Sequence, residues 1–314
     1  MNKVKLSLLH LISTPVPVLN SLGVETSIGL SSEDPMGGRR PSESYQAYLS
    51  IYSPDGRFFK RLSLGEILPR RRKLVKISDL TRPYFKEDHL TVMHRIPSRL
   101  LLEGRAPEDA VELTEEEADY VMFRGFVQYS YPGGGNGSVI YETPQGLNAR
   151  TPGRPIPSTL TFTAQAVLSR SVNACFVLIY YSVNPDYDVV ADYRYSFFAP
   201  TGKIIAGGTR KLQPFTVQVI DAKEVIPPGL LQEHADPADG LACFGFTGYT
   251  TDGIVMPIIL SVDPERRAVA VEHTHPPQSY TIPARSEDKY KWKGRAISKW
   301  KGILPWAAPA LSPS

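Results

Sequence analysis

YLSIYSPDGRFFKRLSL, residues 48–64, reads as strand, turn, strand. Aromatic and β-branched residues alternate with polar ones on both sides of Pro54-Asp55-Gly56. In that turn the proline presets φ and the glycine accepts a positive φ. The phrase returns about 145 residues later as YRYSFFAPTGKIIAGGTRKL, residues 193–212. Each copy continues through a basic or polar link into a further alternating strand. That strand is RKLVKISDL from Arg72 in the first copy and PFTVQVIDA from Pro214 in the second, ending at Asp79 or Asp221.

A repeat of this size is a whole domain, not a solenoid unit. A histidine strand is expected to close each copy, TVMHRIP against AVEHTHP, setting His94 opposite His273. The offset at the histidines is 179 residues, so the second copy is expected to carry an insertion. Residues 226–253, IPPGLLQEHADPADGLACFGFTGYTTDG, supply it.

The rest of the chain extends the same grammar. YVMFRGFVQYSY, SVIYET, TLTFTAQAVL and CFVLIYYSV are rich in Tyr, Phe, Val, Ile and Thr, and GGGNG at 133–137 supplies a hairpin tip. Twenty-eight prolines argue against long helices. Thr114, followed by three glutamates with Glu117 in capping-box position, predicts a turn or two of helix. The fold class is therefore all-β: two tandem β-sandwich domains with little helix and a basic, Trp-containing C-terminal tail. The predicted divisions are a first sandwich over 1–112 and a hairpin with a Pro/Gly-rich linker over 113–159. The second sandwich, with its insertion, spans 160–283, and the tail spans 284–314.

Composition describes an ordinary folded chain, with 42% hydrophobic and 21% charged residues among 314. No run reaches the roughly 18 apolar residues of a spanning helix. The N-terminal apolar run contains His10 and no small-x-small site follows it, so it reads as an opening strand and the location as cytoplasmic. Cys175 and Cys243 lie in apolar strands and read as two buried free thiols. The net charge of +3 is concentrated at the end: from Arg285 onward, seven Lys/Arg face two Asp/Glu.

ETSIGLSSED from Glu25, a strand, SPDG, a strand, an Arg/Lys-containing link, KISDL and then VMHR resemble the sensory rhodopsin transducer family. The likeness covers about 80 residues in each copy. It implies a cytoplasmic, non-catalytic, oligomer-forming sandwich that binds a ligand or partner. The chain departs from the family pattern at His275, where the family has arginine. The first copy has Arg95 beside His94.

Candidate chemistry gathers at the histidines. His273 and His275, two residues apart on a strand, would project on one face about 7 Å apart and could chelate a divalent metal. A third ligand would come from His234, Glu233 or Asp236 in the predicted insertion. That set defines the alternative of a metal-dependent sandwich enzyme. Against it, His94 and His273 each continue an apolar stripe, which favours a framework or pocket-rim role for the pair. The leading expectation is a non-catalytic binding or scaffold protein with no cofactor, its ligand site at His94, Arg95, His273 and His275.

Other chemistries lack their signatures. There is no G-x-S-x-G elbow, and GGGNG lacks the Lys-Ser/Thr of a phosphate loop. RRRK at 70–73 reads as a solvated strand entry. The tail places Trp292, Lys293, Arg295, Trp300, Lys301 and Trp306 as a partner-binding set. It suits self-association or a protein partner, and also an anionic membrane surface or nucleic acid. Tyrosine-rich strands offer a stacking platform for a glycan.

Overall fold

The computed structural model describes residues 3–11, 13–31, 44–69, 71–114, 122–144, 158–273 and 279–282. These residues form nineteen strands. The first ten are β1 (Lys3–Ser7), β2 (Ser13–Val18), β3 (Glu25–Ser31), β4 (Tyr45–Tyr52), β5 (Phe58–Ile67), β6 (Arg72–Lys76), β7 (His89–Pro97), β8 (Ala110–Thr114), β9 (Met122–Ser130) and β10 (Asn136–Pro144). The others are β11 (Ser158–Leu168), β12 (Asn173–Tyr180), β13 (Ala191–Phe198), β14 (Ile204–Leu212), β15 (Thr216–Asp221), β16 (Ala242–Thr250), β17 (Val255–Asp263), β18 (Ala268–His273) and β19 (Ser279–Ile282). The helices among the described residues are short: α1 (Leu8–Leu11), α2 (Ile77–Thr81), α3 (Ser98–Leu102), α4 (Ala222–Val225) and α5 (Pro228–His234), with a 3-10 turn at Asn20–Leu22. The protein is all-β, as its strand grammar indicates. No described helix is long and apolar enough to cross a membrane.

All pairing is antiparallel. Sheet I has the order β2-β7-β4-β5 and sheet II the order β10-β9-β3-β6. Sheet III runs β14-β13-β16-β11-β19 and sheet IV runs β15-β12-β17-β18, while β1 and β8 form a separate pair. Sheets I and II face each other, with Tyr129 Oη and Thr26 Oγ1 both donating to the Pro17 carbonyl. Sheets III and IV meet through Phe176, whose ring stacks on Phe246 at 3.9 Å. Prolines 15 and 17 are tolerated in β2 because that strand is a sheet edge, where a missing N–H costs no ladder bond.

The sheet orders repeat, apart from β19, which is added at the edge of sheet III. Sheets I and II read β2-β7-β4-β5 and β10-β9-β3-β6, while the second set reads β11-β16-β13-β14 and β18-β17-β12-β15. The hairpins turning at Ser53–Gly56 and Ala199–Gly202 occupy equivalent positions, β4–β5 and β13–β14. The helices following β6 and β15 are equivalent too. The histidine correspondence does not hold. His94 lies on β7, whose equivalent is β16, whereas His273 ends β18, whose equivalent is β10. His94 stands opposite Tyr48 on β4 and His273 opposite Ile258 on β17.

The predicted insertion shrinks accordingly. Its second part is β16 itself, and the added length lies between α4 and β16, around α5. Thr114 ends β8 instead of opening a helix, and residues 115–121 lie outside the described set. Of the predicted hairpin-and-linker division, residues 145–157 also lie outside the described residues, as does the tail from 284 with its tryptophans. The β9–β10 hairpin joins sheet II through β3, and its glycine tip rests on the β17–β18 turn, where Gly135 N donates to the Arg267 carbonyl at 2.7 Å.

Side-chain chemistry explains why sheet IV is the inner one. β12 reads apolar at every position from Ala174 to Tyr180 and is buried throughout. A strand with one wet face would alternate apolar and polar residues, and β12 does not. The outer face of sheet IV is covered by the first set of sheets. There Tyr52 stacks on Phe215 at 5.0 Å and Ser13 Oγ lies 3.1 Å from Tyr181 Oη. Residues from all four large sheets thus join one continuous core.

Candidate functional site

The β4–β5 hairpin carries two adjacent phenylalanines, which a regular strand would send to opposite faces. Here the register slips: Ile51 pairs with Lys60 but Tyr52 with Phe58, leaving Phe59 as the extra residue of a β-bulge. Phe58 lies edge-on to Tyr52, with the Arg61 guanidinium over its ring, and remains 54% exposed. Phe59 turns toward the loop after α2 and meets Tyr84 at 5.2 Å and Phe85 at 5.1 Å between ring centroids. Phe59 is 48% and Tyr84 41% exposed. Lys60 donates to Tyr84 Oη at 3.2 Å and sits 5.3 Å from its ring centre.

This aromatic edge is held from behind. Phe85 is half-buried and packs on His89, 5.3 Å between ring centres. His89 is fully buried and its Nδ1 donates to the Glu87 carbonyl at 2.9 Å, while Nε2 has no hydrogen-bond partner among the described residues. The loop is pinned by Asn20 Nδ2 to the Glu87 carbonyl and by Ser21 N and Oγ to the Asp88 carboxylate at 2.7 and 2.6 Å. On its other flank Arg82 reaches Glu25 at 3.5 Å, and Glu25 also pairs with Lys76 at 2.8 Å. Phe59 and Tyr84 touch on a fixed frame with the Lys60 ammonium beside Tyr84, and Phe58 is exposed one residue earlier on the strand. Such rings can stack on an apolar ring face, and the ammonium can donate hydrogen bonds at its margin.

The histidines singled out by sequence are dispersed. His94 is fully buried beneath α1. Its Nδ1 lies 2.8 Å from the Leu9 carbonyl, which can only accept, so Nδ1 carries the proton and Nε2 accepts from the Ser50 hydroxyl at 2.8 Å. Both ring nitrogens are occupied, and burial, with His10 nearby, pushes the pKa well below the ordinary imidazole value. Arg95 is buried on the opposite face, its guanidinium over the Tyr45 ring at 5.5 Å.

His234 ends α5 against Phe244 of sheet III and within 4.0 Å of Glu233, whereas His273 lies in sheet IV. His275 and the tail set Trp292, Lys293, Arg295, Trp300, Lys301 and Trp306 lie outside the described residues. Among the described residues, no three His, Cys, Asp or Glu side chains group as a metal site. The two thiols differ: Cys175 is buried, but Cys243 is exposed, because its position on β16 points away from the core that Phe244 and Phe246 fill.

No family model matches the chain, and no curated protein matches it. Among solved structures, a β-glucuronidase from glycoside hydrolase family 2 overlays with 9% identity and a TM-score of 0.17, covering 90% of this chain and 26% of that one. A putative β-galactosidase from Bacteroides fragilis overlays with 7% identity and a TM-score of 0.18, covering 86% and 35%. A β-D-glucuronidase from Dictyoglomus thermophilum gives 9% and 0.16, covering 86% and 36%. The chain thus spans between 26% and 36% of the length of these structures.

Proposed function

We propose that this is a non-catalytic binding protein and that its contact surface is the aromatic edge of Phe58, Phe59 and Tyr84 with Lys60. The reading rests on one observation: three large rings stay 41–54% exposed on a bulged strand and a pinned loop, at a cost in water that packing does not recover. Because Phe85, His89 and the Asp88 contacts hold the frame before any ligand arrives, little ordering entropy is lost on binding. A glycan fits this chemistry best. Its ring C–H faces stack on phenyl and phenol rings, and its hydroxyl or carboxyl groups meet the Lys60 ammonium.

Native gel electrophoresis through a neutral β-glucan and through polygalacturonate tests the proposal. Retardation in either matrix, abolished in Phe59→Ala/Tyr84→Ala, is the expected result. Free migration in both matrices, or equal retardation of the variant, would overturn it.

A further inference from the structure

β1 and α1 form a strap across the outer face of sheet I. β1 pairs with β8, and the amides of Leu8 and Leu9 donate to the carbonyls of Asp109 and Pro107 at 3.0 and 3.2 Å. Leu8 and Leu9 bury themselves with Ile96, beside Tyr48, Leu100, Leu101 and Val111. Under this strap lie two imidazoles, edge to face, with ring centres 5.4 Å apart. One is His94 of β7, which holds the Leu9 carbonyl. The other is His10 of α1, 6% exposed, with Ser7 Oγ at 2.7 Å from Nδ1.

The groups that face the pair offer no neutralising partner. Ser50 comes from β4 and Ser7 from β1, and both are uncharged. From β5 comes Arg61, already paired with Glu108; the Arg105–Asp109 pair lies on the same loop as Glu108. Among the described residues neither ring contacts a carboxylate. A proton added to either imidazole would therefore be buried beside a second imidazole and a guanidinium, with no anion in contact.

We infer that the N-terminal strap is an acid-released element: protonation of His10 and His94 lifts residues 3–11 from sheet I and uncovers the apolar surface of Ile96, Leu100 and Leu101. With the strap closed, burial first and Arg61 second lower His10 to about 4, and burial first and His10 second hold His94 well below the ordinary imidazole value. With the strap open, both return to the ordinary histidine range near ~6.5. Opening therefore takes up protons. The strap is held fully above about pH 6.5 and loses its hold as pH falls toward the closed-state values, by up to about tenfold per pH unit for each histidine. Two histidines give about a hundredfold per unit.

Hydrogen exchange read by mass spectrometry on the full chain, corrected for intrinsic rates between pH 7.5 and 5.5, tests the inference. Peptides covering residues 3–11 are expected to lose protection with falling pH while β12 stays protected. His10→Phe keeps a ring edge against His94 but cannot titrate, so it should halve the logarithmic slope. His10→Gln gives the same readout should the larger ring disturb folding. His89→Phe, removing a buried histidine remote from the strap, should leave the slope unchanged. Simultaneous loss of protection in the strap and β12 would overturn the inference. So would an unchanged slope in the His10 variants, or an altered one in His89→Phe.

Discussion

Substituting one glycine probes how the two strand sets meet. Gly56, at the tip of the β4–β5 turn, has φ of 87°, and a Cβ placed there would lie 2.3 Å from the Pro214 carbonyl oxygen and 3.1 Å from Thr216 Cγ2. Gly65, in the same β-strand pair, has φ of 83° with nothing within 4 Å of its would-be Cβ. Alanine at Gly65 should cost only the left-handed backbone penalty, about 1–2 kcal/mol. Alanine at Gly56 should cost that amount plus the forced movement of the Pro214 backbone, an overpacking term of about 1–3 kcal/mol. Urea unfolding of both variants at matched slopes gives the difference directly. A Gly56→Ala variant within about 0.5 kcal/mol of Gly65→Ala would refute the close contact between the sets.

Three further outcomes are expected. Phe176→Ala, deleting a fully buried ring stacked on Phe246, should lower unfolding free energy by about 3–5 kcal/mol in the same titration. Asp221→Ala removes the acceptor that caps α4 through the amides of Lys223 and Glu224, at 2.8 and 3.2 Å, and should cost about 1–2 kcal/mol by thermal or urea unfolding. A chromogenic disulfide reagent should titrate one thiol in the native protein and two in denaturant. Cys243 is exposed, while burial and then the Asp221 carboxylate push buried Cys175 up to about 12.

Much of the architecture is written locally. Pro54-Asp55-Gly56, Pro200-Thr201-Gly202 and the glycine run at 133–137 each place a hairpin, because proline and glycine act within a few residues. The unbroken run CFVLIYY marks a strand wet on neither face, and β12 is that strand. Strand order is a different matter. HLTVMHRIP and ACFGFTGYT take equivalent places in sheets I and III, yet share little beyond strand propensity. A histidine at a strand end was the more visible cue, and it matched β7 to β18 instead of β16. Pairing is decided by neighbours far along the chain, which a local motif does not report.

The aromatic edge was legible only in part. Two adjacent phenylalanines after a tight turn cannot both enter a core from a regular strand, and PYF at 83–85 adds two more rings. That Phe59 meets Tyr84 and Phe85 depends on the bulge at Phe59 and on the loop pinned through Asp88, neither of which has a sequence signature of its own. The burial of His94 beneath α1 likewise follows from the strap, which crosses sheet I from the far end of the chain.

The measurement closest to the central claim is a titration of the isotope-labelled protein with the soluble oligosaccharide of whichever glycan matrix retards it, followed through the aromatic resonances of Phe58, Phe59 and Tyr84. Saturable shifts at these rings and at Lys60 are expected, with affinity falling tenfold or more, about 1.4 kcal/mol, in Tyr84→Ala. Saturable shifts confined to other parts of the molecule, with these rings unmoved, would contradict it.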